Sequence, residues 1–255
     1  MATYARFEIN GRKSYGIVRD GGIEELESGL FDDPQPSGRR FAWDEVRLLA
    51  PCEPPKILAV GQNYASHLGE RKTPSKPEIF YKPVSSLQDP GGPIEIPDDA
   101  EDLHFEGELV LVIGKTVRNA TRDEAAAAVF GVTCGNDVSD RNWQRGAGKD
   151  VQWWRAKGCD TFAPLGPVIV TGLNYSDLLL RTRVNGGIVQ QQRTSDFIFD
   201  VPTVIVFISR YVTLTPGDVI YTGTPGETRR MQPGDVVEVE IEGIGTLRNP
   251  VTRGN

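Results

Sequence analysis

Short apolar runs separated by Gly, Pro and Asn make up most of this chain, and they predict strands more often than helices. The clearest is His104–Gly114, where Leu109-Val110-Leu111-Val112-Ile113 runs without a break and Gly114 closes it. Successive side chains on a strand alternate faces. Glu106 and Glu108 then share one side, with Phe105, Gly107 and Leu109 on the other. From Leu109 onward both faces are apolar, which predicts a strand buried on both sides.

Further strands are predicted at 56–61, 78–82, 130–137, 168–171, 178–184, within 213–226 and at 234–242. Asn10-Gly11 marks a hairpin turn between residues 6–9 and 12–18, and Asn185-Gly186-Gly187 marks another. Three helices are expected. Thr121 and Glu124 form a capping box ahead of four alanines, and Ser139 is read as the N-cap of a helix through Gln144. The third spans 201–211, with Pro202 in its first turn. The fold class is therefore mainly β with a few short helices (α+β). Pro51, Pro54 and Pro55 place a boundary between a small N-terminal β-rich domain, 1–50, and a second domain, 51–255. The first carries no catalytic constellation, and a packing or dimer-supporting role is expected of it.

With 38% hydrophobic and 25% charged residues, the chain has the composition of a folded soluble protein. A net charge of −7 without a local Lys/Arg cluster argues against a nucleic-acid surface. No apolar run approaches the roughly 20 residues that span a bilayer, so no membrane partner is expected. The first seven residues lack the layout of a signal peptide, and a cytoplasmic location is the expectation. Cys52, Cys134 and Cys159 are widely spaced, which fits small core thiols in a reducing compartment. With only two histidines, a metal here would be held mainly by oxygen.

Two readings of Glu106 and Glu108 stand side by side: carboxylates sharing a divalent cation, or solvated residues at a sheet rim. His67 and Glu70, three apart, would be neighbours on one helical turn, either as a base and its orienting carboxylate or as an incidental surface pair. Residues 71–76 between them and Pro77 are polar and read as a possible lid. Asp137, at a strand end, is spaced by four and three from Arg141 and Gln144, so one helical face would carry all three. Arg141 would then grip a carboxylate and Gln144 a carbonyl; singly, each also reads as an ordinary helix-surface residue. Lys157 sits among small residues, either as a point charge for an enolate or facing solvent. Lys82 and Ser85 read as solvated loop residues rather than anion contacts, and Trp153 and Trp154 as packing residues. The Thr222-Gly223-Thr224-Pro225-Gly226 loop offers hydroxyls and backbone N–H groups to an anion.

Taken in order, five motifs resemble the fumarylacetoacetate hydrolase family, nearest the acylpyruvase and 2-hydroxyhepta-2,4-diene-1,7-dioate isomerase type. They are Gly61-x-Asn63-Tyr64-x-x-His67-x-x-Glu70, Phe105-Glu106-Gly107-Glu108-Leu109, Asn136-Asp137-Val138-Ser139-x-Arg141-x-x-Gln144, the Lys157–Pro167 segment, and Pro216-Gly217-Asp218-Val219-Ile220-x-Thr222-Gly223-Thr224-Pro225. The resemblance runs from about residue 55 to the end. It implies a mixed β-sandwich roll, a homodimer, and a Mg²⁺ or Mn²⁺ site formed by Glu106, Glu108 and Asp137. It places Arg141, Gln144 and Thr224 on the substrate, Lys157 on its developing enolate, and His67 with Glu70 as a water-activating dyad on a lid helix.

The implied substrate is a 2-oxo or 2,4-diketo acid of carbon-source catabolism. Cleaving the bond between two carbonyls leaves an enolate, whose charge the cation and Lys157 would neutralise. Retention of both His67 and Glu70 favours hydrolysis of an acylpyruvate-type acid. The alternatives are isomerisation of a 2-hydroxy-dienedioate or decarboxylation of an oxaloacetate-like acid. A departure from the family pattern is the short 226–233 loop, which is expected to bring Arg229 or Arg230 to the pocket mouth to read a distal polar group.

Overall fold

A computed structural model describes residues 1–254. Its backbone is a 12-stranded sheet facing a five-stranded one, with a two-stranded ladder beside them. Along the large sheet the order runs Pro36–Ala42, Gly22–Leu26, Arg12–Arg19, Ala2–Ile9, Ala163–Thr171, Val129–Asn136, Gly107–Ile113, Val219–Tyr221, Ile57–Gly61 and Glu78–Lys82. The N-terminal hairpins extend that sheet, because Ala2–Ile9 pairs antiparallel with Ala163–Thr171. No helix among the described residues is long and apolar enough to cross a membrane.

Gly107–Ile113 is buried on both faces, as its sequence predicts. Leu109, Leu111 and Ile113 enter the core shared with the five-stranded sheet and the helix Val201–Ser209. Val110 and Val112 enter a second core on the opposite face, with Leu165, Ile169 and Tyr221. The 104–114 run is not one strand, however. It breaks at Phe105-Glu106 into Leu103–His104, which pairs with Ser139–Asp140, and Gly107–Ile113, which pairs with Val129–Asn136.

Local chemistry explains most of the turns and caps. Asn10 and Gly11 take φ of 49° and 76°, and Asn185 and Gly186 take 53° and 79°, the left-handed pair that a two-residue hairpin of this twist requires. Thr121 accepts from the Glu124 amide and Glu124 reaches back to Thr121, closing the expected capping box. The helix expected from Ser139 begins instead at Arg141, with Asp140 as its cap: the Asp140 carboxylate accepts from Trp143 N at 2.9 Å and from Asp102 N at 3.0 Å. Two backbone donors thus select the carboxylate, while Ser139 joins the short ladder.

Asp200 caps Val201–Ser209 by accepting from Thr203 N at 3.0 Å, and it also pairs with Arg122 at 2.6 Å across the neighbouring helix Arg122–Ala128. The Arg122 hydrogen bond and the cap together pull the Asp200 pKa from 3.8 to about 2. A depressed folded-state pKa stabilises above the unfolded value and is lost as pH falls through the folded one. Asp200→Ala should therefore cost about 1 kcal/mol near neutral pH in urea unfolding. The gap to the parent should close as pH drops from about 4 towards 2. A gap that is constant across that range would rule out the charged cap.

Candidate active site

The three acidic residues meet because of strand register. Gly107 pairs with Asn136, so the next positions outward, Glu106 and Asp137, lie opposite each other. Asp137 N donates to Glu106 O at 2.8 Å, and Asn136 Oδ1 accepts from Glu106 N at 2.8 Å. Glu108, two residues on from Glu106, keeps to the same face. One oxygen from each of Glu106, Glu108 and Asp137 falls within 4.8 Å of the others, and all three residues are buried. Burial removes the solvated-rim reading of Glu106 and Glu108.

Cations answer this charge unevenly. Lys157 Nζ donates to Glu106 at 2.6 Å and to Asp137 at 2.5 Å, from the short helix Trp154–Gly158. Arg141 bonds the other Glu106 oxygen and also donates to Gln144 Oε1 at 2.7 Å and Thr228 Oγ1 at 2.9 Å. Lys82 Nζ reaches Asp137 at 2.6 Å and the Lys157 carbonyl. Burial pushes the Glu106 carboxyl up, but Arg141 and then Lys157 outweigh it and hold it well below the usual carboxylate range. Glu108 has only the Gly223 N–H, at 2.7 Å. Burial, then Asp137 and Glu106, raise it well above that range.

This donor set fits a divalent cation. The oxygens are hard, close and buried, and the like-charge cost concentrated on Glu108 is the deficit that a cation relieves. Glu106, Glu108 and Asp137 would hold it, with chemistry suited to Mg²⁺ or Mn²⁺. The thiols offer no competing nucleophile: burial lifts Cys52 and Cys134 to about 12 and Cys159 to about 11.

A cavity of about 750 Å³ opens over the triad, lined also by His67, Arg141, Gln144, Lys157 and Thr224. His67 stands on the one-turn helix Ala65–Leu68, with Nδ1 2.6 Å from Gly226 O and Nε2 3.9 Å from Glu106 Oε1. A carbonyl only accepts, so Nδ1 carries the proton and Nε2 is left as a base. Burial lowers the His67 pKa and keeps it neutral. The loop Thr222–Gly226 is fastened from below. Thr224 Oγ1 donates to Gly107 O at 2.9 Å, and Gln190 Nε2 donates to Thr224 Oγ1 at 2.9 Å and Pro225 O at 2.6 Å. Asn63 Nδ2 donates to Thr222 O at 2.8 Å.

Several sequence expectations need correction. Glu70 does not pair with His67: the helix ends at Leu68, Gly69 turns away with φ 58°, and Glu70 is exposed and outside the cavity lining. Asp137 precedes the Arg141 helix rather than sharing its face, yet the three residues converge on one cavity. Lys82 is a fully buried partner of Asp137, not a solvated loop residue. The strand 78–82 ends at it, and Phe80 and Glu78, two and four residues back on the same face, line the cavity. Trp153 walls the cavity edge-on to Phe80, at 5.8 Å between ring centroids, whereas Trp154 is exposed. Neither Arg229 nor Arg230 lines the cavity, and Arg230 borders a separate hollow. The short loop acts through Gly226 and Thr228 instead. Gln190 belongs to no sequence motif, since a Gln on a strand gives no local signal of a buried role.

The family model described as fumarylacetoacetate (FAA) hydrolase C-terminal matches residues 56–252, and one described as Rv2993c-like, N-terminal matches 3–51. The chain is 45% identical to protein Rv2993c of Mycobacterium tuberculosis, over 90% of this chain and 87% of that protein. It is 42% identical to the mitochondrial oxaloacetate tautomerase fahd2 of Xenopus laevis, over 81% of this chain and 68% of that protein. The crystal structure of 2-hydroxyhepta-2,4-diene-1,7-dioate isomerase from Mycobacterium marinum superposes with a TM-score of 0.92 at 40% identity, covering 100% of both chains.

Two measurements probe the charge balance. Lys82→Met strips Asp137 of one buried partner and should cost about 3 kcal/mol in chemical denaturation; a change under about 1 kcal/mol would show that Lys157 alone suffices. Mg²⁺ or Mn²⁺ at about a hundred times its Kd should stabilise the parent by about 2.7 kcal/mol in thermal melts. Asp137→Asn should abolish that response, and an undiminished response would place the ion elsewhere.

Proposed function

The chain belongs to the fumarylacetoacetate hydrolase family, and from that premise we propose that it interconverts the keto and enol forms of a 2-oxo acid. The observation that carries this reading is His67 standing as a lone neutral base, with Nε2 on the cavity side and no carboxylate behind it. Tautomerisation needs one proton moved between carbon and oxygen, which a single imidazole does through Nε2. Water activation for C–C cleavage gains from an orienting carboxylate, and Glu70 lies outside the cavity.

The other residues follow from where charge develops. Removing a proton next to the 2-oxo group moves negative charge onto that oxygen. The cation, when bound by Glu106, Glu108 and Asp137, supplies Lewis acidity there. Lys157 has spent two of its three N–H donors on Glu106 and Asp137, so the third is open to an enolate oxygen. Gln144 and Arg141 provide an amide and a guanidinium for the 2-oxo acid end. Trp153 and Phe80 close one side with apolar rings, which excludes water and strengthens these contacts. The names of the relatives, an oxaloacetate tautomerase and a dienedioate isomerase, support a proton-transfer reaction.

Hydrolysis of an acylpyruvate-type acid is the second reading. It is favoured by the family model's description and by the same free Nε2, which would then take its proton from water. The two separate in one assay series, run with enol-oxaloacetate and an acylpyruvate in the presence of Mg²⁺ or Mn²⁺. Accelerated loss of the enol absorbance, suppressed by chelation and lowered about a hundredfold or more in His67→Gln, is the expected result. Enol decay at the uncatalysed rate, with pyruvate released from the acylpyruvate, would move the assignment to hydrolysis. Oxaloacetate giving pyruvate and CO₂ would move it to decarboxylation.

A further inference from the structure

The cavity has two walls of opposite character. The inner one is buried and carries the acidic triad with Lys157 and Arg141. The outer one carries Arg71, Lys72 and Arg145, all exposed, and Glu78 is its sole acidic lining residue. Among the described residues, neither Arg71 nor Arg145 pairs with a carboxylate.

Arg145 follows Arg141 by four residues in the helix Arg141–Arg145, so it lies on the same side, roughly 6 Å further along the axis. Arg71 approaches from the segment after the His67 helix. Its Nε donates to Leu68 O at 2.9 Å and its Nη2 to His67 O at 2.6 Å, which fixes the guanidinium and leaves other N–H groups free. Partial burial first, then the like charges of Arg141 and Arg71, push the Arg145 pKa down against the opposing pull of Glu106 and Asp102.

We infer that Arg145 and Arg71 on the outer wall form a subsite that binds the second carboxylate of a 2-oxo acid and so selects dianions over monoanions. This substrate class rests on the tautomerase reading. The 2-oxo acid end would meet Arg141, Gln144 and the cation that the triad would hold, and the second carboxylate would lie one helical turn away. A monoanionic acylpyruvate would put an alkyl or aryl tail against two unpaired guanidiniums. Because Arg71 also caps the His67 helix, an anion held there ties substrate occupancy to the position of the base.

The kinetic test compares oxaloacetate with its 4-methyl ester, which enolises but has one charge fewer. Arg145→Gln should lower the ratio of kcat/KM for the diacid over the ester by roughly tenfold or more, and Arg145→Lys should restore part of it. Arg71→Gln should lower the same ratio. A loss that is equal for both substrates would mean that these residues only support the fold or the His67 helix, and would overturn the proposal.

A binding test needs no turnover and therefore separates this proposal from the reaction assigned above. Calorimetry in Mg²⁺ compares malate with 2-hydroxybutanoate, which match in carbon number and differ by one carboxylate. The parent should bind malate more tightly, and Arg145→Gln should erase that advantage. Equal affinities in the parent would overturn the proposal whether or not oxaloacetate is a substrate. A malate preference in a chain that fails to tautomerise would leave the dianion site standing and remove only the tautomerase.

Discussion

Three carboxylates buried within 4.8 Å of one another set the terms for the rest of this structure. Left alone, such a group does not ionise fully, because each charge pays desolvation and repels the other two. The chain answers with two lysines and an arginine, all buried, but distributes them unevenly. Glu106 has Arg141 and Lys157, and Asp137 has Lys82 and Lys157. Glu108 has a single backbone N–H. The residual deficit is local, on the one carboxylate that no side chain serves, and a divalent cation is the group whose charge and ligand preference fit it. Lys82 illustrates the economy of the arrangement: one ammonium holds the Asp137 carboxylate and the Lys157 backbone together, so two members of the cluster share an anchor.

The fold contributes register and close approach rather than flexible reach. Antiparallel pairing of Gly107 with Asn136 puts Glu106 beside Asp137 without any loop having to find the site. Gly107 is required by its neighbour, since a Cβ there would lie 2.0 Å from Thr182 Oγ1. Gly223 takes φ 103° and turns its N–H onto Glu108, a backbone that side-chain-bearing residues rarely adopt. Behind the site, Gln190 and Asn63 bolt the 222–226 loop to the sheet through buried amide hydrogen bonds. The three carboxylates therefore stand on a strand, at a strand end and at the break beside it, backed by a braced turn, a rigid setting that would preorganise a cation site.

Much of this was legible in the sequence because it is local. The apolar run 109–113, the Asn-Gly turns, the Thr121 capping box and the shared face of Glu106 and Glu108 each follow from two or three neighbouring residues. Lys82, Gln190 and the outer-wall arginines were not legible, since a Lys at a strand end or an Arg in a polar segment looks solvated until the partner strand is known. The Ser139 cap failed for a related reason. Asp140 serves a second donor, Asp102 N, that lies 38 residues away, and no pattern near Ser139 announces it. Tertiary demand decided between two residues of similar local propensity.

The His67 helix shows how little chain separates one chemistry from another at a shared metal site. In sequence, His67 and Glu70 have helical spacing, but Gly69 between them adopts φ 58° and ψ −126° and stops the helix one turn in. A Cβ on Gly69 would meet nothing within 4 Å, so what the glycine supplies there is backbone conformation rather than room. That turn sends Glu70 outward, and Arg71 caps the helix with its guanidinium on the cavity wall. The imidazole takes its orientation from the Gly226 carbonyl instead of a carboxylate. A base oriented by a carbonyl keeps a lower proton affinity than one backed by a carboxylate, which suits picking up and returning the same proton. A cation held by the triad would stabilise an enolate made either way. On the tautomerase reading, the choice of route rests on Gly69, Glu70 and Arg71, none of which touches the triad.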